Sequence, residues 1–398
     1  MNRSATAAAP ELPTRRDEAW RYAPHADLAR LTFGRVDAAT QVPADLLARI
    51  PELGGPRIVI VNGAVDTSHS DLAAAPGLTL TTLSAAIASA PATVGAHLPV
   101  DAPDDAFVER NARFGLDGAV ITIEPGLRID EPIHVVDLTI PGSAHDTSSS
   151  GVVIELGDGS AATVVETRLG GGDHPGGANI RTTVTLGRES VLDHVVVQDA
   201  PATHISLSRV DVTQAEASTY RARTFNLGAS YGRIDLHVRL AGDGARAELS
   251  GLYFGFGDQT LDQQVEIVHD AKDGVSRQSF RGVLDDSSTG VFRGGIDVRP
   301  GADGTDAEQE NHNLLLSDRA EANTQPRLEI LADDVACKHG ATVGQLDETA
   351  LYYLRSRGIP ATEARRLLID GFADQVVDTV TVAPLRSWII DRLGHGDA

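Results

Sequence analysis

The sequence predicts a mainly β protein, in which a long all-β centre lies between a small mixed α/β N-terminal region and a helical C-terminal module. Three observations carry that prediction. Short β-branched runs punctuated by Gly, Asp, Asn and Pro follow one another from Ala119 to about Val343. Helical periodicity is nearly absent across this span and returns only after Gly340. Before it, short helical and strand-like patterns alternate. The boundaries fall at residues 1–116, 117–344 and 345–398.

In chain order, Thr14 followed by Asp17 is a capping signal for a short helix carrying Trp20. Leu46, Leu47 and Ile50 give the segment from Ala44 to Ile50 a helical spacing. Arg57 to Val61 is a β-branched run closed by Asn62-Gly63, a hairpin signal. A last helical piece, Asp104 to Phe114, precedes Asp117-Gly118. The central runs then begin, among them AVITI, GVVIEL, RTTVTL and RIDLHVRL. A sandwich or jelly roll would bury one face of each strand, whereas a right-handed parallel β-helix would stack coils of about twenty residues into a solenoid. The spacing of the runs is irregular and decides neither. Beyond Gly340, Asp347 caps a helix carrying Leu351 and Leu354, with Gly358 and Pro360 ending it. A second helix aligns Ala364, Leu367, Leu368, Phe372 and Val376, with Arg365 and Arg366 on its other side. A third, after Pro384, aligns Leu385, Trp388, Ile389 and Leu393.

Composition bounds the function. A formal charge of −22 and the absence of a Lys/Arg run make nucleic acids and anionic membranes poor partners. A mean hydropathy of −0.11, with no apolar stretch of spanning length, describes a soluble chain. The opening MNRSATAAAPELPTRRDEAW is broken by Pro10, Glu11 and Pro13 and lacks the apolar region of a signal peptide, so a cytoplasmic location is expected. The single cysteine, Cys337, excludes an internal disulfide and a self-contained four-thiolate site.

Several catalytic patterns fail. The run from Gly170 to Gly177 has no following Lys-Ser/Thr and opens no helix, so it reads as a flexible turn and not a phosphate loop. No G-x-S-x-G, H-E-x-x-H or C-x-x-C occurs. Asp285-Asp286 and Asp333-Asp334 read as solvated turn residues. Lone histidines such as His134, His194, His204 and His237 read as satisfied or surface side chains. One segment stands out. In LEILADDVACKHG, Leu328 to Gly340, a strand would point Val335, Cys337 and His339 to one face. Thiolate and imidazole are donors for iron or zinc, and two of them leave half a tetrahedral shell for a partner. The plainer alternative is that Cys337 packs as a small hydrophobe and His339 finishes the strand.

From His269 to Val377 the chain resembles the SufB/SufD family of iron–sulfur assembly scaffolds. The words that carry the resemblance are Ser279-Phe280-Arg281-Gly282, Gly290-Val291-Phe292-Arg293-Gly294, Gln309 with Asn311, and Asn313-Leu314-Leu315-Leu316-Ser317. They continue in Pro326-Arg327-Leu328-Glu329-Ile330, Asp333 through Gly344, and Leu354-Arg355-Ser356-Arg357-Gly358-Ile359. Weaker matches are Glu18-Ala19-Trp20-Arg21-Tyr22 and Asp117-Gly118-Ala119-Val120. The wording from Asp334 to Gly340 is SufD-like. The resemblance implies a right-handed parallel β-helix core flanked by helical regions. It implies pairing with SufB through the β-helices and with the ATPase SufC through the C-terminal helices, where Leu351, Leu354, Arg357, Leu367, Leu368 and Phe372 are the candidate docking residues. It also implies a transient iron–sulfur cluster shared with SufB, with His339 and then Cys337 as candidate ligands, and ATP used only by SufC. The chain would then be a non-catalytic scaffold, able to homodimerise when isolated. Two rivals remain at this stage: a SufB-like homodimeric cluster scaffold, and a carbohydrate-active β-helix enzyme, which would need a ladder of catalytic carboxylates.

Overall fold

The computed structural model describes residues 11–34, 41–72, 76–89, 105–115 and 117–394. The opening ten residues and Asp104, the expected start of one helix, lie outside them; the helix runs Ala106–Phe114, capped by the Asp105 carboxylate, which accepts from the backbone of Phe107 and Val108.

Among the described residues the strands form two sheets of ten, and from Gly118 onward successive strands alternate between the two. Each strand therefore pairs in parallel with the strand one full coil further on, which is a parallel β-solenoid and not a sandwich. Paired residues lie 26 to 33 positions apart, as in Ile205 with Tyr231 and Gly118 with Gly151. The expected coil of about twenty residues is thus too short. Each coil carries two strands of about ten residues as well as two corners.

One corner recurs with little change. Gly126, Gly159, Glu189, Ala217, Gly244, Asp273 and Gly304 all adopt positive φ, between 55° and 77°. Each donates its N–H to a carbonyl of the next coil, from Gly126 to Asp158 and so on to Gly304 and Asp334. A hydroxyl often closes the same turn: Ser160, Ser190, Ser218 and Thr305 each donate to the carbonyl three residues back. This stack of left-handed corners keeps the coils in register.

The solenoid interior is filled by one alternate set of each strand, including Ile58, Ile121, Ile154, Leu236, Phe280 and Phe292. The two ends differ. At the N-terminal end the hairpin Arg57–Val61 and Ala64–Val65, turned by Asn62 and Gly63 at φ 50° and 80°, extends one sheet, and Leu78–Thr82 extends the other antiparallel to Gly118–Ile123. Ile58, Ile60, Leu78 and Leu80 seal the core there. The N-terminal region is therefore woven into the first coils. At the other end the described residues after the last coil are the C-terminal helices, which turn back along an outer face.

Those helices are Glu348–Ser356, Ala361–Val377 and Ala383–Gly394. Asp347 caps the first and Gly358, at φ 87°, follows it, as the sequence indicates. Val376, Val377, Val380, Leu385 and Ile389 pack on Val195, Phe225, Leu252, Phe254 and Val283 of one sheet's outer face. Trp388 donates to the Arg49 carbonyl, and Arg392 and Arg49 both hold Asp199, so chain ends more than three hundred residues apart meet. No helix among the described residues is long and apolar enough to cross a membrane.

Candidate functional site: the open last coil

The last coil consists of strands Glu321–Ile330 and Val335–Gly344, and each is the final strand of its sheet, paired on one side only. Register decides which side chains face inward. Val335, Cys337, His339, Ala341 and Val343 stand over Thr305, Ala307, Gln309, Asn311 and Asn313, all five of which are buried in the solenoid. The row in the last strand continues that interior, but among the described residues no further coil covers it. His339 and Val343 are exposed and Cys337 is half-buried. Lys338, between them, points outward to Glu308 at 2.7 Å.

Cys337 and His339 thus share one face at the mouth of the solenoid. Their environments differ. Cys337 packs with Ile296, Val298, Ala307 and Leu328, and burial, aided by the Asp306 charge, pushes its thiol above the ordinary value. In the free chain it is a protonated small hydrophobe. His339 stands in solvent. Among the described residues no three His, Cys, Asp or Glu side chains converge to hold a metal, so the pair is at most half a coordination shell.

The floor of the mouth collects the sequence words that carry the family resemblance. Tyr253 donates to Asn313 and receives from Asn311, and Asn313 donates to Asn311 at 2.7 Å. Gln309 donates to Gln278 at 2.9 Å. The glycines make room: a Cβ on Gly282 would meet the Tyr253 ring at 2.1 Å, and one on Gly294 would meet the Gln309 amide at 2.2 Å. A polar plug therefore closes the solenoid beneath Cys337 and His339. The upstream word Glu18-Ala19-Trp20 has a separate place, since Arg233 stacks on Trp20 at 3.9 Å and donates to the Ala19 carbonyl.

The candidate docking helices are less buried than the stripe implies. In Ala361–Val377 the seated residues are Ala364, Ala373, Val376 and Val377, while Leu367 is 42% exposed and Leu368 and Phe372 are half-buried. The face is rotated because the helix sits on the outer ridge of Leu252, Phe254 and Val283, with Arg281 capping Phe372 at 4.9 Å. Leu351 and Leu354 are half-buried, and exposed Arg357 stacks on Tyr353 at 4.9 Å. Sequence periodicity missed Tyr352 and Tyr353, 74% and 56% exposed, which leave this helix with an outward aromatic face.

Most of the chemistry elsewhere is spent on internal partners. Glu166 lies within the solenoid between Arg168 at 2.7 Å and His194 at 2.9 Å, and these partners hold its carboxyl at about 2 against the cost of burial. His134 bonds Thr167 and His237 bonds Asp235, as expected of satisfied histidines, but His204 departs from that expectation: it is buried and neither ring nitrogen makes a hydrogen bond. An open cleft of about 840 Å³ beside Trp20 carries Asp235, His237, Arg209 and Arg293, but Asp235 lies 3.5 Å from Arg209, Glu18 lies 3.7 Å from Arg293 and Asp17 accepts from Thr14. Asp285 and Asp286 form a corner, where Asp286 accepts from the Gly257 backbone. The glycine run proves more than a flexible turn: Gly176 and Gly177 begin a strand, and a Cβ on Gly176 would meet Pro141 at 2.3 Å.

The fold is, as a class, a parallel β-solenoid whose last coil leaves one strand edge of each sheet unpaired, the kind of edge to which another strand can add. The profile described as SUF system FeS cluster assembly, SufBD core domain, matches residues 139–372. An iron–sulfur cluster assembly SufBD family protein of Synechocystis is 28% identical over 389 residues, covering 94% of this chain and 85% of that relative. The iron–sulfur cluster assembly protein SufD of Escherichia coli is 28% identical over 399 residues, covering 96% and 89%. SufD of Bacillus subtilis is 37% identical over 153 residues, covering 38% of this chain and 35% of that relative. The chain belongs to the SufB/SufD family of the SUF system.

Proposed function

We propose that this chain is a SufD-type, non-catalytic scaffold subunit of a cytoplasmic complex with SufB and the ATPase SufC, in which an iron–sulfur cluster is assembled as cargo. The observation that carries the reading is the last coil. Both of its strands offer unpaired backbone groups, and its inward row, with His339 and Cys337, is open. A second solenoid that adds strands to these edges would seal the mouth and bury that row at the junction. His339 is then the first ligand to a nascent cluster, transiently shared with SufB. Cys337 follows once metal displaces its proton.

The C-terminal helices form the second contact. Tyr352, Tyr353, Arg357 and Leu367 present an exposed apolar and cationic face that suits the ATPase, while Leu351, Leu354, Leu368 and Phe372 support it. ATP acts only through that partner. Two variants separate the contacts in co-purification. Val343→Lys, placed in the mouth, should abolish recovery of SufB while leaving SufC bound. Tyr352→Ala with Tyr353→Ala should do the reverse. Retention of SufB by the first variant would remove the last coil from the junction. A Val343-dependent self-association without SufB would instead favour a homodimeric scaffold.

A further inference from the structure

Beneath His339 the solenoid interior leaves amide atoms unused, the nearest being the Oε1 of Gln309, with the Nε2 of Gln278 in the coil below it. Gln278, Gln309 and His339 occupy the same inward position of three successive coils. Gln309 spends its Nε2 on Gln278 in the coil below, at 2.9 Å. Its Oε1 is buried and has no hydrogen-bond partner among the described residues. The side chain cannot retreat to water, because it lies against the backbone of Gly294, where even a Cβ would clash at 2.2 Å. Neighbouring strands in a sheet stand about 4.8 Å apart, so the next inward side chain above this oxygen is that of His339.

We infer that Gln309 is a positioning residue for His339: its free Oε1 accepts the ring N–H of His339 when the mouth is sealed, leaving the other ring nitrogen unprotonated and aimed at the cluster. The inference rests on the reading of His339 as a ligand. A buried amide oxygen without a donor is unfavourable, and an imidazole ligand needs its second nitrogen held to fix tautomer and ring orientation. Each group supplies what the other lacks. Gln278 holds Gln309 in turn, so the two amides form a rigid post under the ligand. Gly294 is part of the same device, since any larger residue there would displace the amide.

The test uses the assembled complex, reconstituted anaerobically with iron and sulfide, in four forms: wild type, Gln309→Met, Gln309→Glu and His339→Ala. Pulsed electron paramagnetic resonance of the reduced cluster reads the coordinated imidazole and, through the coupling of its remote nitrogen, the hydrogen bond that nitrogen makes. Release of iron to a chelator reads how firmly the ligand is held. Gln309→Met is expected to keep the complex and the imidazole signal, to shift the remote-nitrogen coupling, and to release iron about tenfold faster. Gln309→Glu keeps an acceptor for the ring N–H and, with Gln278 turned to donate its unpaired Nε2 to the new carboxylate, restores both readouts. If Gln309→Met fails to assemble, Gln309→Asn, which withdraws the amide by one methylene, must give the same shift. An unchanged coupling and release rate in these variants, with the imidazole signal intact, overturns the role of Gln309 alone. An imidazole signal that persists in His339→Ala, or is missing from the wild type, overturns the ligand reading on which it stands.

Discussion

Lowering the pH from 7 to 5 should cost this fold several kcal/mol, and three buried histidines say why. Burial, with the Arg57 charge adding to it, depresses His134 from 6.5 to about 3; burial depresses His204 to about 4, opposed by the His174 backbone, and His269 to about 4. All three are sealed from solvent. Between pH 6.5 and their folded values the unfolded chain binds protons that the folded chain refuses, so stability falls as pH falls through that window. At pH 5 each costs about 2 kcal/mol relative to pH 7, roughly 5 to 6 kcal/mol together. Asp137 works the other way. Burial raises its carboxyl to about 6, so the folded chain takes up a proton first, returning roughly 1 kcal/mol at pH 5. Glu166, held at about 2, contributes stability that is present above its ordinary value of 4.5 and begins to fail only below it. The net loss is roughly 4 kcal/mol, a large share of the stability of an ordinary domain. Urea unfolding at the two pH values measures it, and His269→Gln should remove about a third of the histidine contribution. Equal unfolding free energies at pH 7 and pH 5 would refute the reasoning.

Other perturbations test other parts of the structure. At the left-handed corners Ala217→Gly should stabilise by about 1 kcal/mol and Gly244→Ala should destabilise by about as much, read from urea midpoints, because an added Cβ at Gly244 meets nothing and only its φ of 67° opposes it. Arg233→Ala strips Asp262, at 2.9 Å, of its charge partner and Trp20 of its stacked cation; a loss of about 3 to 5 kcal/mol is expected, and a loss below 1 kcal/mol would show that the buried charge is compensated elsewhere. Cys337 should react slowly with iodoacetamide at pH 7.5, followed by mass spectrometry, and several-fold faster when the chain is unfolded in urea; equal rates would show that the thiol is not shielded.

Much of the fold is legible in the sequence wherever one residue type has one physical use. Asn62-Gly63 marks a turn needing two positive φ values, Asp347 a cap, Gly358 a helix end, and the β-branched runs the strands. The solenoid itself was hidden because its corner tolerates several residues. Glycine, glutamate, alanine and aspartate all occupy the left-handed position, so no fixed word repeats. A partial signal lies in the hydroxyl after that position: Ser160, Ser190 and Ser218 follow one another at 30 and 28 residues, and Thr305 returns three coils later, with Ala245 and Gly274 in between. At the mouth, alternation along the strand places Val335, Cys337 and His339 together, but their openness depends on there being no next coil. That is a property of the whole chain. The exposure of Leu367 is not legible in the stripe it shares with Ala364 and Val376, because helical spacing aligns residues without fixing which of them the sheet will cover. The exposed Tyr352 and Tyr353 were invisible for the same reason.

The role proposed for His339, holding the cluster at the junction between two scaffolds, is open to direct test. The most direct measurement is co-purification of wild type and His339→Ala with SufB and SufC, followed by anaerobic reconstitution and the visible absorbance of the iron–sulfur cluster. The account predicts that the variant assembles with both partners and fails to form or keep the cluster. An intact complex with undiminished absorbance would contradict it, and would leave this chain as architecture and an ATPase dock.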